Sequence, residues 1–238
     1  MNITAEVFGI SRHRFNIDGK GITTLVSMMR CPLLCKYCIN RECHYSQANM
    51  KEKNFRTRKF TAKELYDAVK IDHLYFLAIG GGITFGGGEP GYYDVFIQHF
   101  KSICEPNWKI NIETSLNFPT ENMSNLINVI DSFIIDIKDM SPLIYRKYTS
   151  MSNELVYENL RILKDSGKID NVKIRVPHIP EFNTPSDVYN SIYIIRRMGF
   201  KTIEEFTYVL PNKLHKYEKR KRFMSIIKTN TTRYCYGV

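Results

Sequence analysis

The sequence predicts an α/β fold: one open, partial (β/α)6 barrel formed by residues 1–238 as a single domain. Three observations carry this. Short apolar, β-branched runs alternate with helix-like stretches, the pattern of βα units around a parallel sheet. No internal repeat is visible, and no linker rich in Pro, Gly or Ser divides the chain. Polar and glycine positions fall where the apolar runs end, at Cys31, Gly86 to Glu89, Glu113, Asp136, Lys138 and Arg175. In parallel α/β folds those C-terminal strand ends hold the site.

The elements follow in order. Residues 22–29 read as a strand leading directly into a cysteine cluster. Thr61 and Glu64 have the spacing of a capping box and open a helix to about residue 70. Residues 80–90 are a short strand between two glycine runs, followed by a helix over 92–104. The strand at 108–112 ends at Glu113 and Thr114, and a helix follows from residue 121. A strand at 132–137, a helix at 153–165 and a strand at 172–176 come next. Thr184 caps a helix to residue 198 with Pro185 at its first position, and the last strand covers 201–210.

Composition sets limits on function. An apolar share of 43% and a charged share of 24% are ordinary for a globular chain and exclude collagen, coiled coil and bulk disorder. No apolar run approaches the roughly 20 residues of a membrane span. The N-terminus lacks a basic segment followed by an apolar one, so a cytoplasmic protein without membrane partner is expected. The net charge is 34 − 24 = +10. It is spread along the chain apart from a cluster at 213–222, and is read as a solvated surface rather than a nucleic-acid site.

The cysteines are the informative residues. Six occur, at 31, 35, 38, 43, 104 and 235. In a reducing compartment, clustered thiols bind metal or do redox chemistry. Cys31-Pro-Leu-Leu-Cys35-Lys-Tyr-Cys38 lies on a loop after a strand. Three thiolates hold three corners of a [4Fe–4S] cube, where four would saturate it, so one iron stays open, as at catalytic metal sites. The alternative is a zinc site completed by Cys43 or His44. Cys104, within a helix, reads as a small buried apolar residue; Cys235 has no reading.

Two marks together resemble the radical S-adenosylmethionine (SAM) superfamily. One is this cysteine spacing with an aromatic residue, Tyr37, before the third thiol. The other is Gly87-Gly88-Glu89-Pro90 at a strand end, where glycines let backbone approach the SAM amino group with no Cβ between. Within the superfamily, the chain from about Phe15 to Leu210 resembles the glycyl-radical-enzyme activating enzymes of the pyruvate formate-lyase type. The resemblance lies in Asp18-Gly-Lys-Gly-Ile22, Gly81 to Pro90, Ile135-Asp-Ile-Lys138, Val172 to Pro180 and Val209-Leu-Pro211.

The resemblance implies a radical SAM barrel and named roles. Cys31, Cys35 and Cys38 would hold the [4Fe–4S] cluster, and Gly87, Gly88 and Glu89 would position the SAM methionine group. Glu113 with Thr114, and Asp136, would lie beside SAM, the two acids helping to bind a monovalent cation. Lys138 and Arg175 would face the SAM carboxylate or ribose. Asp136 sits inside the apolar run Phe133-Ile-Ile-Asp-Ile137, where a lone carboxylate is costly without a partner. The implied reaction is reductive cleavage of SAM to methionine and a 5′-deoxyadenosyl radical, which takes a glycine Cα hydrogen from a partner glycyl-radical enzyme. Asp18 is the candidate for gripping that partner's glycine loop through backbone N–H groups. The implied electron donor is a flavodoxin or ferredoxin, and the chain a monomer. The alternative is a radical SAM enzyme acting on a peptide or a small heterocycle. Departures fall on the partner side: Lys20, Thr23, Gly91 and Lys213 replace the family's Pro, Arg, Leu and His.

Overall fold

In a computed structural model the described residues are 3–44 and 47–208. They form one eight-stranded sheet that does not close. The strands are β1 (Thr4–Phe15), β2 (Ile22–Met28), β3 (Arg58–Thr61), β4 (Gly81–Gly87), β5 (Lys109–Thr114), β6 (Ser132–Asp136), β7 (Val172–His178) and β8 (Ile203–Thr207). Their order is β3-β1-β2-β4-β5-β6-β7-β8. From β2 to β8 every neighbour pair is parallel, and these are the six strands of the expected barrel. The last ends at Thr207; positions 209–210 of the expected strand lie outside the described residues.

Two strands extend the sheet beyond that expectation. β1 pairs antiparallel with both β2 and β3. Its register shifts twice against β2, between Val7 and Gly9 and between Ser11 and Arg14. Such bulges break the alternation that marks a strand in sequence.

The helices are α1 (Gln47–Glu52), α2 (Ala62–Val69), α3 (His73–Ile79), α4 (Asp94–Ile103), α5 (Thr120–Ile127), α6 (Pro142–Thr149), α7 (Glu154–Asp165) and α8 (Pro185–Arg197). The Thr61 capping box forms: its hydroxyl accepts the Glu64 N–H at 3.2 Å, and the Thr61 N–H donates to Glu64 Oε2 at 2.8 Å. Thr184 and Asp187 make the same reciprocal pair on α8. α1, α3 and α6 are additions to the sequence reading.

Alternation along the strands separates core from lumen. Ile110 and Ile112, Phe133 and Ile135, and Ile174 and Val176 are fully buried, within the core that includes the helix residues Phe100, Leu126, Leu160 and Ile195. Each such burial stabilises by roughly 1.5–3 kcal/mol. The intervening Glu113, Asp136 and Arg175 turn the other way, into the open barrel. Register then sets neighbours: Met28 lies beside Gly87, and Asp136 beside Arg175.

Candidate cluster and cofactor site

The cysteine loop leaves β2 and is anchored at both sides. The Arg30 N–H donates to the Cys43 carbonyl at 3.1 Å. The Leu34 and Lys36 N–H groups donate to the carbonyls of Thr149 and Tyr148, at 2.8 and 3.2 Å, at the end of α6. Cys31, Cys35 and Cys38 are half-buried, while Cys43 is buried. Cys43 lies near Cys31 and Cys38. The neighbouring Cys43 is the main influence holding the Cys38 thiol down at about 6. Burial pushes Cys35 up to about 12, with the nearby Lys138 ammonium pulling the other way. Among the described residues, no three His, Cys, Asp or Glu side chains gather closely enough for a single metal ion. A [4Fe–4S] cube takes its thiolates spread over separate irons, and the donor set Cys31, Cys35 and Cys38 fits it.

The glycine strand end is fastened to this loop. The Gly88 N–H donates to the Met28 carbonyl at 2.9 Å, and the Glu89 N–H to that of Arg30 at 2.7 Å. The Asn40 amide donates to the Gly87 carbonyl at 3.0 Å. Gly87 has φ +88°, and a Cβ on Gly88 would lie 2.3 Å from the Arg30 carbonyl oxygen. The glycines are therefore required first to seat β4 against the cysteine loop. Close approach of a ligand to the same backbone follows from that seating.

Glu89 is 1% exposed and is occupied by its own chain. Its Oε1 accepts from the Gly91 N–H at 3.1 Å and the Thr114 hydroxyl at 2.6 Å. Its Oε2 accepts from the Ser115 N–H at 2.9 Å and the Ser115 hydroxyl at 2.6 Å. Burial raises its pKa, and the four donors oppose that rise. This carboxylate clamps the end of β4 to the end of β5, with Thr114 as part of the clamp. Gly91 has its own reason: a Cβ there would lie 2.1 Å from the Phe118 ring, which fills the space a larger residue would take.

Inside the barrel the strand-end charges form one network. Arg175 Nε donates to Asp136 Oδ1 at 2.6 Å, and its Nη2 to Glu113 Oε1 at 2.9 Å. Lys138 Nζ donates to Asp136 Oδ2 at 3.3 Å and to the Tyr208 hydroxyl at 3.1 Å. Burial alone would raise the Asp136 carboxyl, but Arg175 and Lys138 bring it down to about 2. Burial raises Glu113, with Arg175 opposing it. Lys138 is held well above its ordinary value against its burial, chiefly by Asp136. Each carboxylate thus meets a cation supplied by the chain.

The structure brings Cys31, Cys35, Cys38, Gly87 and Gly88 together, and links Glu113, Asp136, Arg175 and Lys138 beside them. Tyr37 meets the loop that leaves β7, with its ring 5.6 Å from Phe182 and its hydroxyl donating to Glu181 at 3.0 Å. Asp18 is 1% exposed, and Arg14 engages both of its carboxylate oxygens, with Nη2 at 3.0 Å from Oδ1. This carboxylate is buried against its own loop and paired with Arg14. Cys104 is buried, as read. Lys213 and Cys235 lie outside the described residues. Ser115, Asn40 and Tyr208 join the site unannounced; a lone Ser, Asn or Tyr carries no spacing signal.

Comparison with known proteins agrees with this geometry. The profile of the Radical SAM superfamily matches residues 25–185. The (2S)-3-sulfopropanediol dehydratase activating enzyme of Klebsiella oxytoca is 26% identical, over 82% of this chain and 78% of that protein. Pyruvate formate-lyase 2-activating enzyme of Escherichia coli is 29% identical, over 75% of this chain and 68% of that one. Streptococcus suis SuiB superposes with a TM-score of 0.58 at 14% identity, over 87% of this chain and 48% of that one, a likeness of fold. With the matched stretch spanning the cysteine loop, the glycine strand end and the charged lumen, this chain belongs to the radical SAM superfamily.

Proposed function

We propose that this enzyme activates a glycyl-radical enzyme by taking a hydrogen atom from a glycine Cα of that partner. The observation that carries the reading is that its sequence relatives are themselves named as activating enzymes. When bound, the [4Fe–4S] cluster and SAM supply the reductive cleavage that yields methionine and a 5′-deoxyadenosyl radical. The chain's residues bind and orient. Cys31, Cys35 and Cys38 hold the cluster, and the Gly87–Gly88 backbone receives the methionine group. Glu89 and Thr114 fix that strand end, while Lys138 and Arg175 present positive charge to the SAM carboxylate or ribose. A monovalent cation is the finer expectation at Glu113 and Asp136; Arg175 and Lys138 already supply positive charge there. The reading also includes a flavodoxin or ferredoxin donor, a cytoplasmic monomer, and one domain over residues 1–238. No helix among the described residues is long and apolar enough to cross a membrane.

The test is direct. Anaerobically reconstituted protein, reduced with dithionite, should form 5′-deoxyadenosine from SAM. Mixed with the glycyl-radical enzymes of its own source organism, it should produce a glycyl radical visible by EPR on one of them. Deoxyadenosine without any such radical, together with consumption of a peptide or heterocycle, would move the reading to the alternative substrate class.

A further inference from the structure

We propose that the basic edge of the sheet at residues 51–59 is the docking surface for the electron donor, an acidic carrier protein. The inference rests on the proposed function and adds to it the face through which the electron enters. Residues 51–59 read Lys-Glu-Lys-Asn-Phe-Arg-Thr-Arg-Lys, five cations against one acid. Lys51, Lys53, Arg56, Arg58 and Lys59 are all exposed. Among the described residues, no ion pair engages Lys51, Arg56 or Lys59. The segment is held in shape. The Phe55 N–H donates to the Met50 carbonyl at 2.7 Å, and the Asn54 N–H to that of Lys51 at 3.2 Å. The Phe55 ring lies 6.1 Å from that of Phe8, and the Thr57 hydroxyl donates to Glu6. An open groove of about 550 Å3 runs between β1 and this segment, with Phe8, Ile10 and Phe60 as apolar lining and Arg56 and Arg58 as charged lining. The Arg58 guanidinium lies 4.4 Å from the centre of the Phe60 ring. An apolar floor with a charged border is the make-up of a protein interface.

Position indicates what the partner does. β3 is the outermost strand of the sheet. Arg58 pairs with Val7, and Val7 with Met28, which enters the loop to Cys31. Two strand spacings put Arg58 about 10 Å from the strand that carries this loop. The Met29 N–H donates to the Glu6 carbonyl at 2.9 Å, so β1 follows β2 as far as the loop. Taking a hydrogen atom requires the glycine to reach the lumen, whereas an electron crosses intervening protein without contact. A donor on the outer edge of the sheet leaves the lumen open to the glycine-bearing partner. The complement to clustered cations on a chain of net charge +10 is an acidic surface, which the field steers into encounter. In the step itself, an anionic flavin hydroquinone loses one electron and becomes the neutral semiquinone. The oxidised [4Fe–4S]2+ cube gains that electron and becomes [4Fe–4S]+, and no proton moves.

The experiment titrates the anaerobically reconstituted protein with an acidic bacterial flavodoxin by calorimetry, at about 0.05 M and about 1 M salt. Arg56→Glu/Lys59→Glu reverses two charges of the edge. Lys164→Glu/Arg197→Glu makes the same change in net charge at exposed positions of α7 and α8. At low salt the edge variant should bind flavodoxin on the order of tenfold more weakly than wild type, and at high salt the difference should shrink below about twofold. The α7–α8 variant should stay within about threefold of wild type. Deoxyadenosine formation with dithionite should be equal in all three. Arg56→Gln/Lys59→Gln neutralises the same charges, and carries the comparison with a loss of about threefold if the reversal unsettles β3. Equal flavodoxin affinity in wild type and the edge variants, or equal losses in the two reversed variants, overturns the docking surface. So does an edge variant that binds flavodoxin normally yet forms less glycyl radical, which assigns the edge to the glycine-bearing partner. In each of these cases deoxyadenosine formed with dithionite leaves the cofactor reading in place. A wild-type chain that forms none overturns both.

Discussion

Replacing Glu89 by Gln keeps the shape of the strand-end clamp and exchanges one oxygen for an NH2 group. In the native chain each carboxylate oxygen accepts one backbone N–H and one hydroxyl. Whichever way the new amide turns, its NH2 faces a main-chain donor, that of Gly91 in one orientation and that of Ser115 in the other. A hydroxyl can rotate and become the acceptor; a backbone N–H cannot. One buried N–H is left without a partner, costing about 1–3 kcal/mol, and the surviving bonds lose the strength that charge lends them. A total of about 2–4 kcal/mol is expected, a large share of the roughly 5–15 kcal/mol that holds a domain together. Ser115→Ala removes a hydroxyl donor and leaves both main-chain bonds, so it should cost about 1 kcal/mol. Anaerobic urea denaturation followed by circular dichroism gives both values, and SAM titration of the reconstituted protein should show weakened binding in Glu89→Gln. If that variant lay within about 0.5 kcal/mol of wild type, burial would have won over the four donors. Glu89 would then be a neutral acid, and the clamp argument would fail.

Three further outcomes follow from neighbouring contacts. Gly88→Ala drives a Cβ into the Arg30 carbonyl beside Cys31, so iron uptake and SAM binding, measured together, should fall together. Gly91→Leu collides with the Phe118 ring and should cost about 1–3 kcal/mol as overpacking; pairing it with Phe118→Ala should recover part of that loss in a double-mutant unfolding cycle. Arg175→Met leaves Glu113 and Asp136 together with only Lys138 to oppose them and should cost about 3–5 kcal/mol near neutral pH. Asp136 then loses a charge that holds it low and Glu113 the one that opposes its rise, so the deficit should shrink as pH falls towards the carboxylate range; a pH-independent deficit would contradict the network.

What the sequence made legible follows a physical division. The six parallel strands are short, apolar and bounded by glycine or polar ends, because both their faces are covered or turned into the lumen. β1 escaped notice because its bulges and the φ of +56° at His13 interrupt the period of two, and because Arg12, His13 and Arg14 suggest a loop. α3 escaped for the opposite reason. His73–Ile79 is apolar almost throughout, yet only Phe76 is buried, so no amphipathic stripe marks it. In the site, the cysteine spacing and the glycine strand end were visible as motifs, since each is a local sequence. The burial of Cys43 was not, because its main chain is tied back to Arg30 and Asn40, contacts that no motif announces. Asp18 pairs with Arg14, four residues earlier at the end of β1, a spacing that matches no motif on its own.

These contacts also tie the cluster loop to the lumen. Lys138 stands in charge contact with Cys35 and bonds Asp136; Asp136 meets Arg175, and Arg175 meets Glu113. The sequence of contacts crosses from the loop after β2 to the ends of β6, β7 and β5. A thiolate at Cys35 is costly in its buried setting, and Lys138 is the nearby charge that offsets it. Asp136 holds Lys138 charged, and Arg175 keeps Asp136 and Glu113 ionised side by side. Removing Arg175 therefore reaches the cluster by a route that touches no iron ligand: protonation of Asp136 releases Lys138 from its partner. It follows that the strand-end charges cannot be exchanged one at a time without altering the field at Cys35, even where no residue in the exchange contacts the cofactor.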